Sequence, residues 1–224
     1  MNRFLVSLLG LVFLAQAAQA ELLFGVDFSE APEGPAKKYL HMSNFDAQQN
    51  AQDKLRPEVR GGRLILELGP GYLGGYTLRR DVEGAKKLRV RWGVESYPKG
   101  ADWEDDEKRE AVMVVVVFKT ERVSAGSWLL PALPRYLGIF LSDSAQGGKW
   151  YQGNYYEEGG RYRCEPCNAP AGEEVVSEID LEAAYQENFG EPMPPILGFG
   201  IEFDTRGIEG DSKAFVRSIE LLGE

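Results

Sequence analysis

Histidine is almost missing from this chain: His41 is the only one among 224 residues, and Cys164 and Cys167 are the only cysteines. A structural zinc site needs a full set of Cys, His or acidic ligands. One cysteine pair with a single distant histidine does not supply it. No G-x-S-x-G elbow is present, so His41 has no sequence neighbour to activate as a nucleophile. A triad drawn from distant residues stays open, but the plainer reading of His41 is a surface or loop histidine. Basic side chains are also short, with 25 Lys and Arg against 35 Asp and Glu and a net charge of −10. A polyanion would meet net repulsion, and no nucleic-acid partner is expected. Beyond the first twenty residues there is no apolar run long enough to span a bilayer, no internal repeat and no low-complexity tract.

Those first twenty residues, MNRFLVSLLGLVFLAQAAQA, place Arg3 ahead of an apolar run and end in Ala18-Gln19-Ala20. This is the pattern of a secretory signal peptide over residues 1–20. The expected product starts at Glu21, carries no transmembrane segment and is periplasmic or secreted. Losing Arg3 and no acid moves its charge to −11. Residues 21–224 contain no evident linker and are expected to form a single domain.

Within that span, short apolar runs alternate with Gly, Pro and acidic turns. The runs at 22–28, 63–69, 76–82, 87–95, 111–119, 136–142, 149–157, 174–181, 196–204 and 215–222 read as strands. So many strands with so few helices predict a mainly β fold, an antiparallel two-sheet β-sandwich of jelly-roll type with one or two short helices. Leu64, Leu66 and Leu68 share one face of their strand, and Leu88, Val90, Trp92 and Val94 share one face of theirs, opposite Arg89 and Arg91. The segment VMVVVVF (112–118) has no polar alternate positions and predicts a central strand covered on both sides. In 196–204, Leu197, Phe199, Ile201 and Phe203 are expected on one face, with Gly198, Gly200 and Glu202 on the other. Side-chain-free positions beside an acid leave room for a ligand or for a neighbouring aromatic ring. DLEAAYQENFG (180–190) predicts a short helix capped by Asp180 and closed by Gly190, and 43–55 reads as either a second helix or a polar loop.

Cys164 and Cys167, in GRYRCEPCNAP, admit three readings: a redox pair, half of a metal site, or a disulfide. An exported chain with an even number of thiols favours the disulfide. A redox pair would need the first cysteine at a helix N-terminus, and the flanking NAPAGEE has loop composition. The acidic segment GADWEDDEKRE (100–110) lacks EF-hand spacing and reads as a solvated hairpin loop. No cofactor and no metal ligand set is expected, with a structural calcium ion left open.

Aromatic residues are dense between 149 and 163. Trp150, Tyr151, Tyr155 and Tyr156 are candidates for stacking on a sugar ring, since flat rings with polar edges suit a ligand with one apolar face and many hydroxyls. Arg89, Arg91 and Glu202 are candidates for its polar contacts, and Arg79 and Arg217 are candidates to join the two arginines. The competing reading is cross-strand pairing of the arginines with Glu67, Glu95 or Glu202.

The segments LRVRWGV, REAVMVVVVF, LPRYLGIFLS, IDLEAAYQENFGE, PPILGFGIEFDTRG and AFVRSIELL, in this order over roughly residues 60–222, resemble a bacterial exported family named domain of unknown function 3047. The resemblance implies a jelly-roll sandwich similar to galactose-binding and carbohydrate-binding modules. It brings no activity and no catalytic residues. GYLGGYTLRR and the cysteine loop fall outside its pattern. The expected role is a non-catalytic binding module for a saccharide or other cell-envelope component. The alternatives are a carbohydrate-active enzyme drawing an acid pair from Glu202, Asp204 and the loop acids, and an assembly protein that binds a protein partner.

Overall fold

The computed structural model describes residues 20–105, 107–127 and 131–224; the expected leader, apart from Ala20, and Asp106 of the acidic segment lie outside them. In chain order the strands are β1 (Leu22–Asp27), β2 (Gly34–Pro35), β3 (Phe45–Gln49), β4 (Glu58–Val59), β5 (Leu64–Leu68), β6 (Leu73–Val82), β7 (Lys87–Ser96), β8 (Glu110–Phe118), β9 (Tyr136–Ser142), β10 (Trp150–Tyr151), β11 (Gly160–Cys167), β12 (Val175–Asp180), β13 (Ile196–Asp204) and β14 (Ser212–Leu222). The α-helices are α1 (Lys37–Met42), α2 (Asn50–Asp53) and α3 (Leu181–Phe189), one more than the upper expectation.

Two seven-stranded sheets form a sandwich. The first runs β12-β7-β14-β5-β4-β2, with β1 beside β14, and the second runs β10-β11-β9-β8-β13-β6-β3. Residues 212–216 of β14 pair with β5 and residues 218–222 with β1, so one long strand serves two shorter neighbours on one edge. The ladders are antiparallel, as expected, except that β11 lies parallel to β9.

The core follows the alternation. Leu64, Leu66, Leu68, Leu88, Val90, Trp92 and Val94 all turn inward, and the inner face of β8 supplies Val112, Val114, Val116 and Phe118. β8 is the fourth of seven strands, and its other face is covered by a second cluster containing Met113 and Val115. VMVVVVF is thus central and covered on both sides, with Val117 alone partly exposed. Trp92 is fully buried because its indole N–H donates to Ser177 Oγ at 2.7 Å; unpaired, that N–H would carry a desolvation cost. Asp180 Oδ1 accepts from Ala183 N at 2.9 Å to start α3, and Gly190, at φ 70°, ends it. Leu181, Ala184 and Tyr185 form the buried stripe. No helix among the described residues is long and apolar enough to cross a membrane.

Four local expectations change. Residues 45–49 form a strand rather than a helix or polar loop, and only 50–53 are helical. Within 149–157 only Trp150 and Tyr151 are strand. A register shift between Ile196 and Gly198 turns Ile196, not Leu197, into the core, while Phe199, Ile201 and Phe203 stay inward as expected. The acidic segment is not a hairpin loop, because β7 and β8 belong to different sheets. It crosses between them and buries Trp103, which is 3% exposed.

Candidate ligand-binding face

The outer face of the second sheet gathers three carboxyl groups. Glu202 and Asp204 are two residues apart on β13, so both point away from the core. Glu202 pairs with Gly75 of β6 on one side and with Met113 of β8 on the other, and Asp204 pairs with Glu110. Between those two positions β8 advances three residues while β13 advances two, and this bulge brings Glu110 onto the face of the other two acids.

The three groups differ in their surroundings. Asp204 accepts from Arg206 Nε at 2.9 Å and Nη2 at 2.7 Å, a bidentate fork, and Arg109 Nε lies 3.8 Å away. Glu202 is half-buried between the bare Gly75 and Met113 and makes no hydrogen bond or ion pair among the described residues. Burial, then the charge of Asp204, pushes its pKa up to about 7. Glu110 is 6% exposed, also without a hydrogen-bond partner among the described residues. Burial, then Asp204 and Glu202, raise its pKa well above the ordinary carboxylate range, opposed by Arg109 and Arg206.

Beside the acids stand two glycines, Gly75 and Gly200, both buried. A Cβ on Gly75 would come within 3.2 Å of Glu202 Cγ and 2.4 Å of Ile201 O, so that position admits only glycine. At Gly200 a Cβ would meet nothing closer than Thr77 Cγ2 and Tyr76 O at 3.4 Å. No aromatic ring fills either position; one does at Gly138, where the Tyr162 ring lies 3.1 Å from the Cβ site.

A wall of aromatic residues borders this stretch of sheet. Trp103 stacks on Phe140 with centroids 3.8 Å apart, and Tyr151 meets both rings edge-on. The Tyr136 and Tyr162 hydroxyls are 2.6 Å apart. Burial raises the pKa of both, and Glu202 adds to the rise.

The candidates named from sequence do not converge. Tyr151 is buried in the wall, its hydroxyl bound to Glu104, which leaves no ring face for a sugar. Tyr156 packs edge-on against Tyr136 and donates to Pro131 O at 2.9 Å. Tyr155 is exposed. Trp150 is half-buried at the sheet edge, its indole N–H on Glu187 at 3.2 Å. Arg89 and Arg91 lie on the outer face of the first sheet, on the far side of the sandwich from Glu202. Arg89 bridges Glu178 and Glu220 at 2.8 and 3.4 Å, and Arg91 is exposed with no ion pair among the described residues. Arg217 shares their sheet and pairs with Glu174, while Arg79 belongs to the second sheet. Cross-strand pairing thus holds for Arg89, while Arg217 meets Glu174 just before β12; neither acts through Glu67, Glu95 or Glu202.

Sequence reasoning does not single out Arg206, Glu110 or Tyr136, whereas Tyr162 belongs to the dense aromatic stretch at 149–163. Arg206, two residues from Asp204, was the one readable signal. Cys164 and Cys167 are joined in a disulfide within β11, closing the register shift between their partners Phe140 and Ser142. His41 is an exposed residue of α1. Among the described residues no three His, Cys, Asp or Glu are placed to hold a metal ion.

No family model matches the chain, and no curated protein matches it. The resemblance to domain of unknown function 3047 therefore rests on the quoted segments alone. Solved structures are loosely similar. "BiXyn10A CBM1 APO" is 8% identical, covering 91% of this chain and 99% of its own, with a TM-score of 0.39. "Carbohydrate binding module family29" is 12% identical over 92% and 89%, with a TM-score of 0.39. A CBM29-2 mutant complexed with cellulohexaose is 12% identical over 89% and 92%, also at 0.39. Likeness at this level carries no argument about function.

Proposed function

We infer that this chain is an exported binding module that takes a saccharide on the outer face of its second sheet. One observation carries the reading: Glu110 and Glu202 present carboxyl groups with no protein donor among the described residues, on a stretch of sheet where Gly75 and Gly200 bring no side chain. A ring rich in hydroxyls, lying over the glycine positions, would give these carboxyl groups the partners that the fold does not supply. The Tyr136 and Tyr162 edges flank the same stretch. The reading keeps Glu202 as a polar contact and replaces Arg89 and Arg91 with Glu110, Asp204 and Arg206.

A second reading, a glycoside-cleaving enzyme, is favoured by one specific contrast: Asp204 is clamped by Arg206, while Glu202 has a pKa near 7. Residues two apart on a strand are about 6.7 Å apart, and glycosidases need their acid pair about 5–10 Å apart. Titration calorimetry against neutral oligosaccharides, with product analysis of the same mixtures, separates the two. Binding without new reducing ends, weakened about tenfold by Glu202→Ala and blocked by Gly200→Trp, supports the module. Turnover abolished by Glu202→Gln supports the enzyme. Neutral-oligosaccharide binding that ignores both Glu202→Ala and Gly200→Trp refutes the site.

A further inference from the structure

At the edge of the second sheet, β10, α3 and the Trp103 segment border an open cleft of about 390 Å3, within the usual ~300–1,000 Å3 of small-molecule sites. Its lining departs from the character of the chain. The protein carries net charge −10, yet the cleft brings together Lys108, Lys149 and Arg161 against a single lining acid, Glu104. That acid is already engaged, by Lys149 Nζ at 2.5 Å and by the Tyr151 hydroxyl, and its pKa is lowered, first by Lys149.

The other two cations have no acidic partner among the described residues. Lys108 Nζ reaches only the neutral Asn154 Oδ1, at 3.3 Å. Arg161 donates from Nη1 alone, to the carbonyls of Glu157 at 2.6 Å and Gly160 at 2.8 Å, while Phe189 lies beneath its guanidinium at 5.4 Å. Burial and the neighbouring Arg135 disfavour its charge. A half-buried guanidinium with an unused edge is a fork for a planar or tetrahedral anion. Trp150, half-buried, lines the same cleft, and its indole N–H is taken by Glu187 outside it.

We propose that this cleft is a subsite for the acidic substituent of a saccharide, a carboxylate or sulfate held by Arg161 and Lys108 with the sugar ring against Trp150. The anion site stands by itself; only the sugar part of the ligand rests on the saccharide reading above. The two sites share a short stretch of chain, since Lys108 lines the cleft and Glu110, two residues on, belongs to the acidic face.

The test is tryptophan fluorescence and proton–nitrogen NMR of the full exported chain, titrated with glucuronate, glucose, glucose sulfate and inorganic sulfate. Glucuronate or glucose sulfate is expected to bind at least about tenfold more tightly than glucose, and Arg161→Gln or Lys108→Gln, with native spectra, is expected to remove about tenfold. Raising salt from about 50 to about 500 mM should weaken binding, and Trp150→Phe should lower the preference for the sugar acids over inorganic sulfate. The proposal is overturned if the sugar acids bind no better than glucose, if folded Arg161→Gln binds them unchanged, or if inorganic sulfate binds as tightly as either sugar acid. Neutral-oligosaccharide binding that responds to Glu202→Ala while sugar acids fail to bind would sink the subsite alone; loss of the former with sugar-acid binding intact would sink the main face alone.

Discussion

Glu202 should make the fold less stable as the pH rises. Its carboxyl lies between a bare glycine and Met113, and its pKa is pushed from 4.5 up to about 7 by burial and by Asp204. A folded-state pKa above the unfolded one means that the folded chain holds the proton more tightly. The resulting stability is fully present below about pH 4.5 and is lost as the pH rises through 7. At about 1.4 kcal/mol per unit, a shift of this size amounts to about 3 kcal/mol at most. Glu202→Gln keeps the shape and removes the titration. In urea unfolding at intervals between about pH 5 and pH 8, the variant's advantage over the parent should grow steadily towards that figure. Glu110 titrates in the same direction in both proteins, and loses one of its repulsions when Glu202 is neutral. A constant difference between parent and variant across the range would show Glu202 to be fully hydrated. It would then have no need of a donor, and the reasoning behind the saccharide face would fail.

Two further perturbations test the rest of the architecture. Trp103→Ala removes the ring stacked at 3.8 Å on Phe140 and should cost about 3–5 kcal/mol in urea unfolding; a change under about 1 kcal/mol would mean that the aromatic wall is not packed as described. Arg91→Ala should change neither stability nor saccharide affinity beyond about 0.5 kcal/mol, whereas Arg89→Ala, which breaks contacts to Glu178 and Glu220, should cost about 1 kcal/mol of stability and leave neutral-saccharide affinity unchanged. A drop in neutral-saccharide binding in either variant would return the site to the first sheet.

Alternation along each strand made the inside of this protein legible. Leu64, Leu66 and Leu68 announce their burial through a period of two, the valines of β8 through an unbroken apolar run covered on both faces, and Asp180 and Gly190 announce the ends of α3. Alternation says which side of a strand faces out, but not which of two sheets the strand joins. Arg89 and Glu202 both point away from the core, and only pairing distant in sequence places one on β7 and the other on β13, on opposite outer surfaces. Bulges add a second loss, because one extra residue reverses the parity: this exchanged Leu197 for Ile196 and brought Glu110 beside Asp204. The aromatic cluster misled for a related reason. Its residues are close in sequence, but Tyr151 was needed to roof Phe140, so its ring contributes to packing rather than to a surface.

That use of aromatic residues bears on where a ligand can lie. The outer face of the second sheet is unevenly furnished: over β9 and β11 it is capped by Trp103, Tyr151 and Tyr162, while towards β13 and β6 it has Gly200 and Gly75, which bring no side chain. The cap is pinned at several points, with the Trp103 indole N–H on Arg109 O at 3.0 Å and its ring on Phe140. Arg109 in turn reaches Asp204 and Arg206 O, so the segment that roofs the wall also fixes one side of the acidic trio. A side chain fixed through its neighbours loses little freedom on binding, which lowers the entropic cost of engaging a ligand. Asp204, between the two acids that lack donors, is therefore held in place by Arg109 and Arg206. Arg109→Ala consequently tests positioning apart from direct contact: it should weaken neutral-saccharide binding through Asp204 and Glu110 while leaving sugar-acid binding at the Arg161 cleft unchanged, and an equal loss at both would mean that the variant had merely loosened the whole edge of the sheet.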